Sequence, residues 1–355
     1  MKSYSRRSNH GSMTEPPRPR FVAANRIRAA LVCLLAGILP VAALGKEPHP
    51  SIPVGAIFEA RDSWTDRDDE SDDARECLAG LQWVAEEFEV HCEAASSWGG
   101  DLMIRFDSAI DSGDARNDRV AMEWYQPRER GRPAPAFVVV HESGSRMEVG
   151  RLMARCLRKQ GFHAFLIHLP FYGERRTGRE RPRSANLINA MQQAIADVRR
   201  ARDAVAVLPM VDSDRINLQG TSLGGFVSAT VAGLDQAYHG VFLMLAGGDL
   251  FGVLKHGARD TAKIRETLRK AGVTDEQLKH LARTIEPTRL AHRLDPDRTW
   301  LYSGRLDSVV PLHNARVLAR SARLEPSHHV LMTANHYSGI IYLPFIIEHI
   351  ASNAR

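Results

Sequence analysis

Cysteine is scarce in this chain. Four occur in 355 residues, at Cys33, Cys77, Cys92 and Cys156, which excludes a disulfide-dense mini-scaffold. No C-x-x-C and no H-E-x-x-H is present, so the sequence calls for no metal. Glycine (26) and proline (18) are too few for a collagen-like or low-complexity chain, and no internal repeat is visible. An excess of one charge is also missing once position is considered. The net charge is +5, but residues 1–45 hold seven bases (Lys2, Arg6, Arg7, Arg18, Arg20, Arg26, Arg28) against Glu15 alone. Removing these from the totals of 47 and 42 leaves 40 basic and 41 acidic residues, which gives no electrostatic reason to expect a nucleic-acid partner.

The leader has the pattern of an export signal. A basic stretch ends at Arg28, an apolar run follows from Ala29 to Leu39, and Ala43 and Gly45 supply small residues for cleavage before Lys46. About 17 apolar residues, broken by Pro40, fall short of the roughly 20 that span a bilayer, so no stable membrane span is expected after cleavage. Met13 is an alternative start. The export route makes the protein periplasmic or secreted, an oxidising setting that permits a disulfide. Cys77 and Cys92 are the candidate pair because both precede the main fold, whereas Cys156 falls inside a helical pattern.

Residues 46–87 read as an acidic linker, with eight acids between Arg61 and Glu76 in a solvated loop. Three strand-like runs follow, Phe88–Glu93, Leu102–Phe106 and Val120–Trp124, separated by turn-forming residues as in antiparallel hairpins. From Pro135 the rhythm changes to apolar strands alternating with helices. The strands are Ala136–His141, Ala164–His168, Arg215–Leu218, Gly240–Leu245, Thr299–Ser303 and His329–Met332. Helices are expected over Glu148–Gln160 and Leu187–Leu208, from Leu223, from Leu312 and from Ile340. In the second of these, Leu187, Met191, Ala194, Ile195, Val198, Ala201, Val205 and Leu208 recur every three or four positions along one helix face. Continuously apolar strands alternating with helices require a parallel sheet buried on both faces, so the fold class is α/β over residues 88–355. Residues 250–298 interrupt the rhythm as a helical, lid-like insertion in which Thr274–Gln277 forms a capping box.

The chemistry centres on Gly220-Thr221-Ser222-Leu223-Gly224-Gly225, directly after a strand and directly before a helix. A serine at the tip of such a turn adopts a strained backbone, and Gly220 and Gly224 at −2 and +2 must be small to let strand and helix approach. A serine hydroxyl needs a histidine base and an acid that orients it. Asp307 lies just past an apolar strand in Gly304-Arg305-Leu306-Asp307, with Asp249 as the competing acid. His336 follows the last strand, with His313, His328 and His329 as rivals. Two backbone N–H donors must face a developing oxyanion. Leu223 supplies one, and the second comes from the loop His141-Glu142-Ser143-Gly144, at Ser143 or alternatively Glu142.

These residues resemble the α/β-hydrolase superfamily over about 260 residues, from roughly Phe88 onward. The chain is most similar to the branch shared by dienelactone hydrolases and the catalytic domains of prolyl-oligopeptidase-type peptidases. The resemblance rests on His141–Gly144, Leu169-Pro170-Phe171-Tyr172-Gly173-Glu174-Arg175, Val211–Ile216 leading into Gly220–Gly225, Gly304–Asp307 with Val310-Pro311, and Asn335-His336. It implies a Ser222–His336–Asp307 triad, an acyl-enzyme intermediate and no cofactor. The chain departs from both groups. Its nucleophile is Ser222 where dienelactone hydrolases carry cysteine, residues 46–140 are too few for a β-propeller, and Glu142 replaces the commoner glycine.

The expected function is an exported hydrolase of small-molecule carboxylic esters. The alternatives are a peptidase or amidase with the same triad and a catalytically silent binding scaffold. Arg175, Arg176, Arg179, Arg181 and Arg183 crowd the loop after Ala164–His168. Arg175 and Arg176 are therefore candidate contacts for an anionic substrate, with a solvated loop as the alternative.

Overall fold

The computed structural model describes residues 52–65, 67–97, 99–128, 132–176 and 187–355. The leader with its cleavage site, and Arg179, Arg181 and Arg183, lie outside them. Four antiparallel strands come first: β1 (Ile57–Arg61), β2 (Glu87–Ser96), β3 (Gly99–Asp107) and β4 (Arg119–Tyr125), with α1 (Asp72–Ala79) between β1 and β2. Then β5 (Ala134–Val140), α2 (Glu148–Lys159), β6 (His163–Ile167), α3 (Leu187–Ala206), β7 (Val211–Thr221), α4 (Leu223–Asp235) and β8 (Val241–Met244) alternate. The insertion holds α5 (Leu250–His256), α6 (Asp260–Lys270) and α7 (Asp275–Thr284). The chain closes with β9 (Thr299–Gly304), α8 (Leu312–Ser321), β10 (His329–Met332) and α9 (Leu343–Asn353).

All ten strands form one sheet in the order β1-β2-β3-β4-β6-β5-β7-β8-β9-β10. β4 pairs antiparallel with β6, and every pair from β6 to β10 is parallel. Side chains alternate faces along a strand, and in β5 both faces are covered. Val138 and Val140 join the core beneath α3, α4 and α8, while Phe137 and Val139 join the opposite core with Met153 and Leu157 of α2 and Ile346 and Ile350 of α9. α3 buries Ala194, Ile195, Val198, Ala201 and Val205, the stripe its spacing defines. The capping box is present, with the Thr274 side chain accepting from Gln277 N and the Gln277 side chain accepting from Thr274 N.

The described residues of 52–87 depart from the linker reading. β1 extends the sheet beside β2, and α1 is capped by the Ser71 side chain. The acids there are docked on bases far along the chain. Arg200 pairs with buried Asp62 at 2.6 Å, Arg293 with Asp69 at 2.7 Å, and Arg283 with Asp73 and Glu76 at 2.7 Å each. A run of acids reads as solvated until the fold brings its partners to it. The Cys77–Cys92 pair is corrected as well. Both are buried free thiols, and burial pushes each up to about 11, so they serve as small apolar core residues. The last helix begins at Leu343 rather than Ile340, because Ser338–Tyr342 winds as a tighter turn and Pro344 suits the first helical turn.

Candidate active site

After β5 the chain crosses to β6 on one side of it, then returns to place β7 on the other side. Where strand order reverses in this way, the loops leaving the carboxyl ends part and open a crevice. Ser222 leaves β7 at this point, and the loop beginning at His141 leaves β5.

Ser222 has φ +53° and ψ −115°, a backbone that a residue with a side chain rarely adopts. Its N–H donates to Met244 O at 2.9 Å, and its carbonyl accepts from Gly225 N and Phe226 N at 2.8 and 3.1 Å. Both bounds of the turn are sterically closed. A Cβ at Gly220 would fall on the Gly224 carbonyl oxygen, and one at Gly224 on the Val140 carbonyl oxygen. The first turn of α4 therefore lies against β5, with the Leu223 N–H among the donors that a helix start leaves without a helical partner.

The structure brings Ser222, His336 and Asp307 together. His336 Nδ1 stands 2.7 Å from Asp307 Oδ2, and His336 Nε2 stands 3.1 Å from Ser222 Oγ. A carboxylate only accepts, so Nδ1 carries the hydrogen and the Nε2 lone pair faces the serine hydroxyl. Asp307 is buried, and its other oxygen accepts from Val309 N at 2.8 Å and Val310 N at 3.0 Å, which fixes the carboxylate plane.

The rivals have other work. Asp249 caps α5 by accepting from Gly252 N at 3.0 Å. His313 is exposed on α8. His328 stacks on Trp300 and contacts Thr299 O at 3.1 Å. His329 contacts Ser303 Oγ at 3.1 Å, and burial lowers it to about 4.

The loop after β5 is held at several points. The Glu142 carboxylate accepts from Val149 N at 3.2 Å and Gly150 N at 3.1 Å, which turns it onto the start of α2. The Ser143 carbonyl accepts from the Tyr172 hydroxyl at 3.2 Å. His141 is wholly buried. Leu169 N–H donates to its Nε2 at 3.2 Å, so Nδ1 carries the hydrogen and donates to Glu142 O at 2.6 Å. Burial lowers its pKa to about 3 and keeps the ring neutral.

Arg175 is not a substrate contact. It is buried, pairs with buried Asp197 at 2.8 Å, and donates to Asn117 O at 2.7 Å and His168 O at 3.2 Å. It closes the turn that follows β6, whereas Arg176 emerges exposed.

Sequence reasoning missed three groups here. Tyr172 packs against His141 with ring centroids 4.7 Å apart and the rings tilted by 57°. Tyr337 lies beside His336 and donates to Asp260. Glu123 is a wholly buried acid that accepts from Arg151 and Tyr125 at 2.6 Å each and from His168 at 3.0 Å. Its position within the apolar strand Val120–Trp124 was the available signal. Among the described residues, no group of three or more His, Cys, Asp or Glu is arranged to hold a metal ion, and no helix is long and apolar enough to cross a membrane.

No family model matches the sequence, and no curated protein matches it. Solved structures do match in shape. Acetyl xylan esterase from Paenibacillus sp. R4 superposes with a TM-score of 0.56 at 16% identity, over 79% of this chain and 92% of that one. Acetyl xylan esterase 1 from Thermoanaerobacterium sp. JW/SL YS485 gives 0.53 at 18% identity, over 80% and 96%. This is the α/β-hydrolase fold. The Pyrococcus horikoshii acylaminoacyl peptidase is a third similar structure, with a TM-score of 0.52 at 14% identity over 75% of this chain and 42% of that one. At the carboxyl edge of this sheet lie the strained turn at Ser222, the loop of Asp307 and the loop of His336.

Proposed function

We propose that the chain is an exported serine hydrolase that cleaves small-molecule carboxylic esters. The observation that carries this reading is the continuous contact from Asp307 through His336 to Ser222, at 2.7 and 3.1 Å, ending on a serine in a strained turn. His336 Nε2 takes the serine proton as Oγ bonds to the ester carbonyl carbon, and the Asp307 carboxylate faces the imidazolium that forms. The N–H groups of Leu223 and Ser143 hold the oxyanion, with Glu142 N–H as the alternative second donor. Collapse breaks the bond to the alkoxide, which leaves with the imidazolium proton. Water then repeats the sequence on the acyl-serine and releases the acid. The steps need no cofactor.

Ester chemistry draws support from the two acetyl xylan esterases of the same fold. The acylaminoacyl peptidase of that fold keeps amide cleavage as a second reading, separated by comparing an ester with its matched anilide. In the decisive experiment, Ser222→Ala abolishes hydrolysis of p-nitrophenyl acetate and butyrate while the far-ultraviolet circular dichroism stays unchanged. Retained turnover refutes the reading. A folded wild-type protein that resists a fluorophosphonate probe favours a silent scaffold instead. Export is tested by N-terminal sequencing of the protein recovered outside the cytoplasm, with Lys46 expected first.

A further inference from the structure

The helical insertion touches the site at its foot, where residues 257–261 run between the loops that carry Asp307 and His336. Ala258 N donates to Ser308 O at 2.9 Å, and Thr261 Oγ1 donates to Val309 O at 3.3 Å. These are the peptide units that, through Val309 N and Val310 N, hold the Asp307 carboxylate. Between them, Asp260 Oδ2 accepts from the Tyr337 hydroxyl at 2.6 Å, and the Arg259 guanidinium lies 5.5 Å over the Tyr337 ring. Arg259 has φ +53°, a strained backbone at the centre of the turn.

Tyr337 in turn stands edge-on to the His336 ring, with centroids 5.7 Å apart. Tyr337 is 45% exposed, so core packing does not orient it and the polar contacts must. On the other side of His336, Asn335 Oδ1 accepts from Tyr337 N and Ser338 N at 2.9 Å each. The base loop is thus tied to itself by Asn335 and to the insertion by Asp260.

We propose that Asp260, acting through Tyr337, is a positioning residue for the His336 base, so that the foot of the insertion holds the acid loop and the base loop in one register. The inference rests on the serine-hydrolase reading above. Asp260 also places a second carboxylate near the imidazole. The Tyr337 hydrogen bond, then Lys263 at 3.1 Å and His336, hold its carboxyl below the usual range, so it is ionised at neutral pH. Burial and the Asp260 carboxylate push the Tyr337 hydroxyl up to about 12, so it remains a donor. Asp307 and the Ser222 hydroxyl contact the two His336 nitrogens and the Tyr337 ring stands edge-on to the imidazole, with Asp260 on the tyrosine hydroxyl, Arg259 over the tyrosine ring and Lys263 on Asp260.

The two halves of the device separate by substitution. Y337F removes the hydrogen bond and keeps the carboxylate, whereas D260A removes both. With active sites counted by fluorophosphonate titration, both variants should lose about ten- to a hundredfold in kcat on p-nitrophenyl acetate. KM should stay within about twofold of wild type in both variants, so that the loss falls on kcat, as expected when the base is displaced and binding is not. The double variant should be no worse than D260A. Wild-type kcat per active site in D260A overturns the proposal, as does a loss that falls on KM alone or is confined to melting temperature or to the number of active sites. If the wild-type protein neither titrates nor turns over ester, the hydrolase reading fails first and takes this inference with it.

Discussion

His336 Nε2 stands 3.1 Å from Ser222 Oγ across 114 positions of sequence. Two different strands deliver these groups to the same edge of the sheet, in its parallel part, where the carboxyl ends of β7 and β10 face the same way.

Asp307→Asn should lower kcat by about ten-thousandfold with little change in KM. The carboxylate accepts from Nδ1, which leaves the Nε2 lone pair for the serine proton. An asparagine amide in its place can donate to Nδ1 and so favour the tautomer whose Nε2 already carries hydrogen. A kcat within tenfold of wild type would remove Asp307 from the mechanism.

Gly224→Ala should cost about 3 kcal/mol of stability, read as the shift in urea midpoint. The added methyl meets the Val140 carbonyl oxygen, and backbone in a central strand cannot step aside. Gly80→Ala, where the nearest atom to the added carbon lies at 3.5 Å and φ is negative, is the comparison without a clash. Equal costs for the two would mean that α4 does not need the close approach.

Glu123→Gln should cost about 3–5 kcal/mol at neutral pH, because it leaves the buried Arg151 guanidinium without its counter-charge. Burial by itself would raise the Glu123 pKa, but hydrogen bonds from His168, Arg151 and Tyr125 outweigh it and lower the carboxyl from 4.5 to about 2. A depressed acid contributes stability above its unfolded pKa and loses that contribution as pH falls towards its folded one. Wild-type stability should therefore fall between about pH 4.5 and pH 2, and the variant should lose that component of the slope. Urea titrations across that range check it, and identical slopes would contradict it.

Arg175 and Arg176 should behave differently. Arg175→Ala should destabilise by about 3–5 kcal/mol, since Asp197 is left buried and unpaired. Arg176→Glu should leave stability within about 0.5 kcal/mol and raise KM for acidic esters more than for neutral ones. Equal KM changes for both substrates would end the case for an anionic ligand at that loop.

The elbow was legible from spacing because local sterics write it into neighbouring residues. A serine in a strained turn needs Gly220 and Gly224 at fixed offsets, whatever the rest of the chain does. The alternation of apolar strands and helices was legible for a similar reason, since burial on both faces leaves continuous apolar runs such as Phe137–Val140. Charge pairing has no such local signature. Asp62 finds Arg200 across 138 positions, Arg175 is neutralised by Asp197, and the foot of the insertion reaches Tyr337 across 77.

The strained turn at Ser222 and the class of fold were determined by the sequence alone, because backbone sterics and hydrophobic periodicity act over a few residues. Which carboxylate faces the imidazole, which arginine is buried and which helix braces the base were decided by tertiary structure. Those outcomes depend on distances between groups far apart in the chain, and a Coulombic or hydrogen-bonded partner is defined by where it ends up in space.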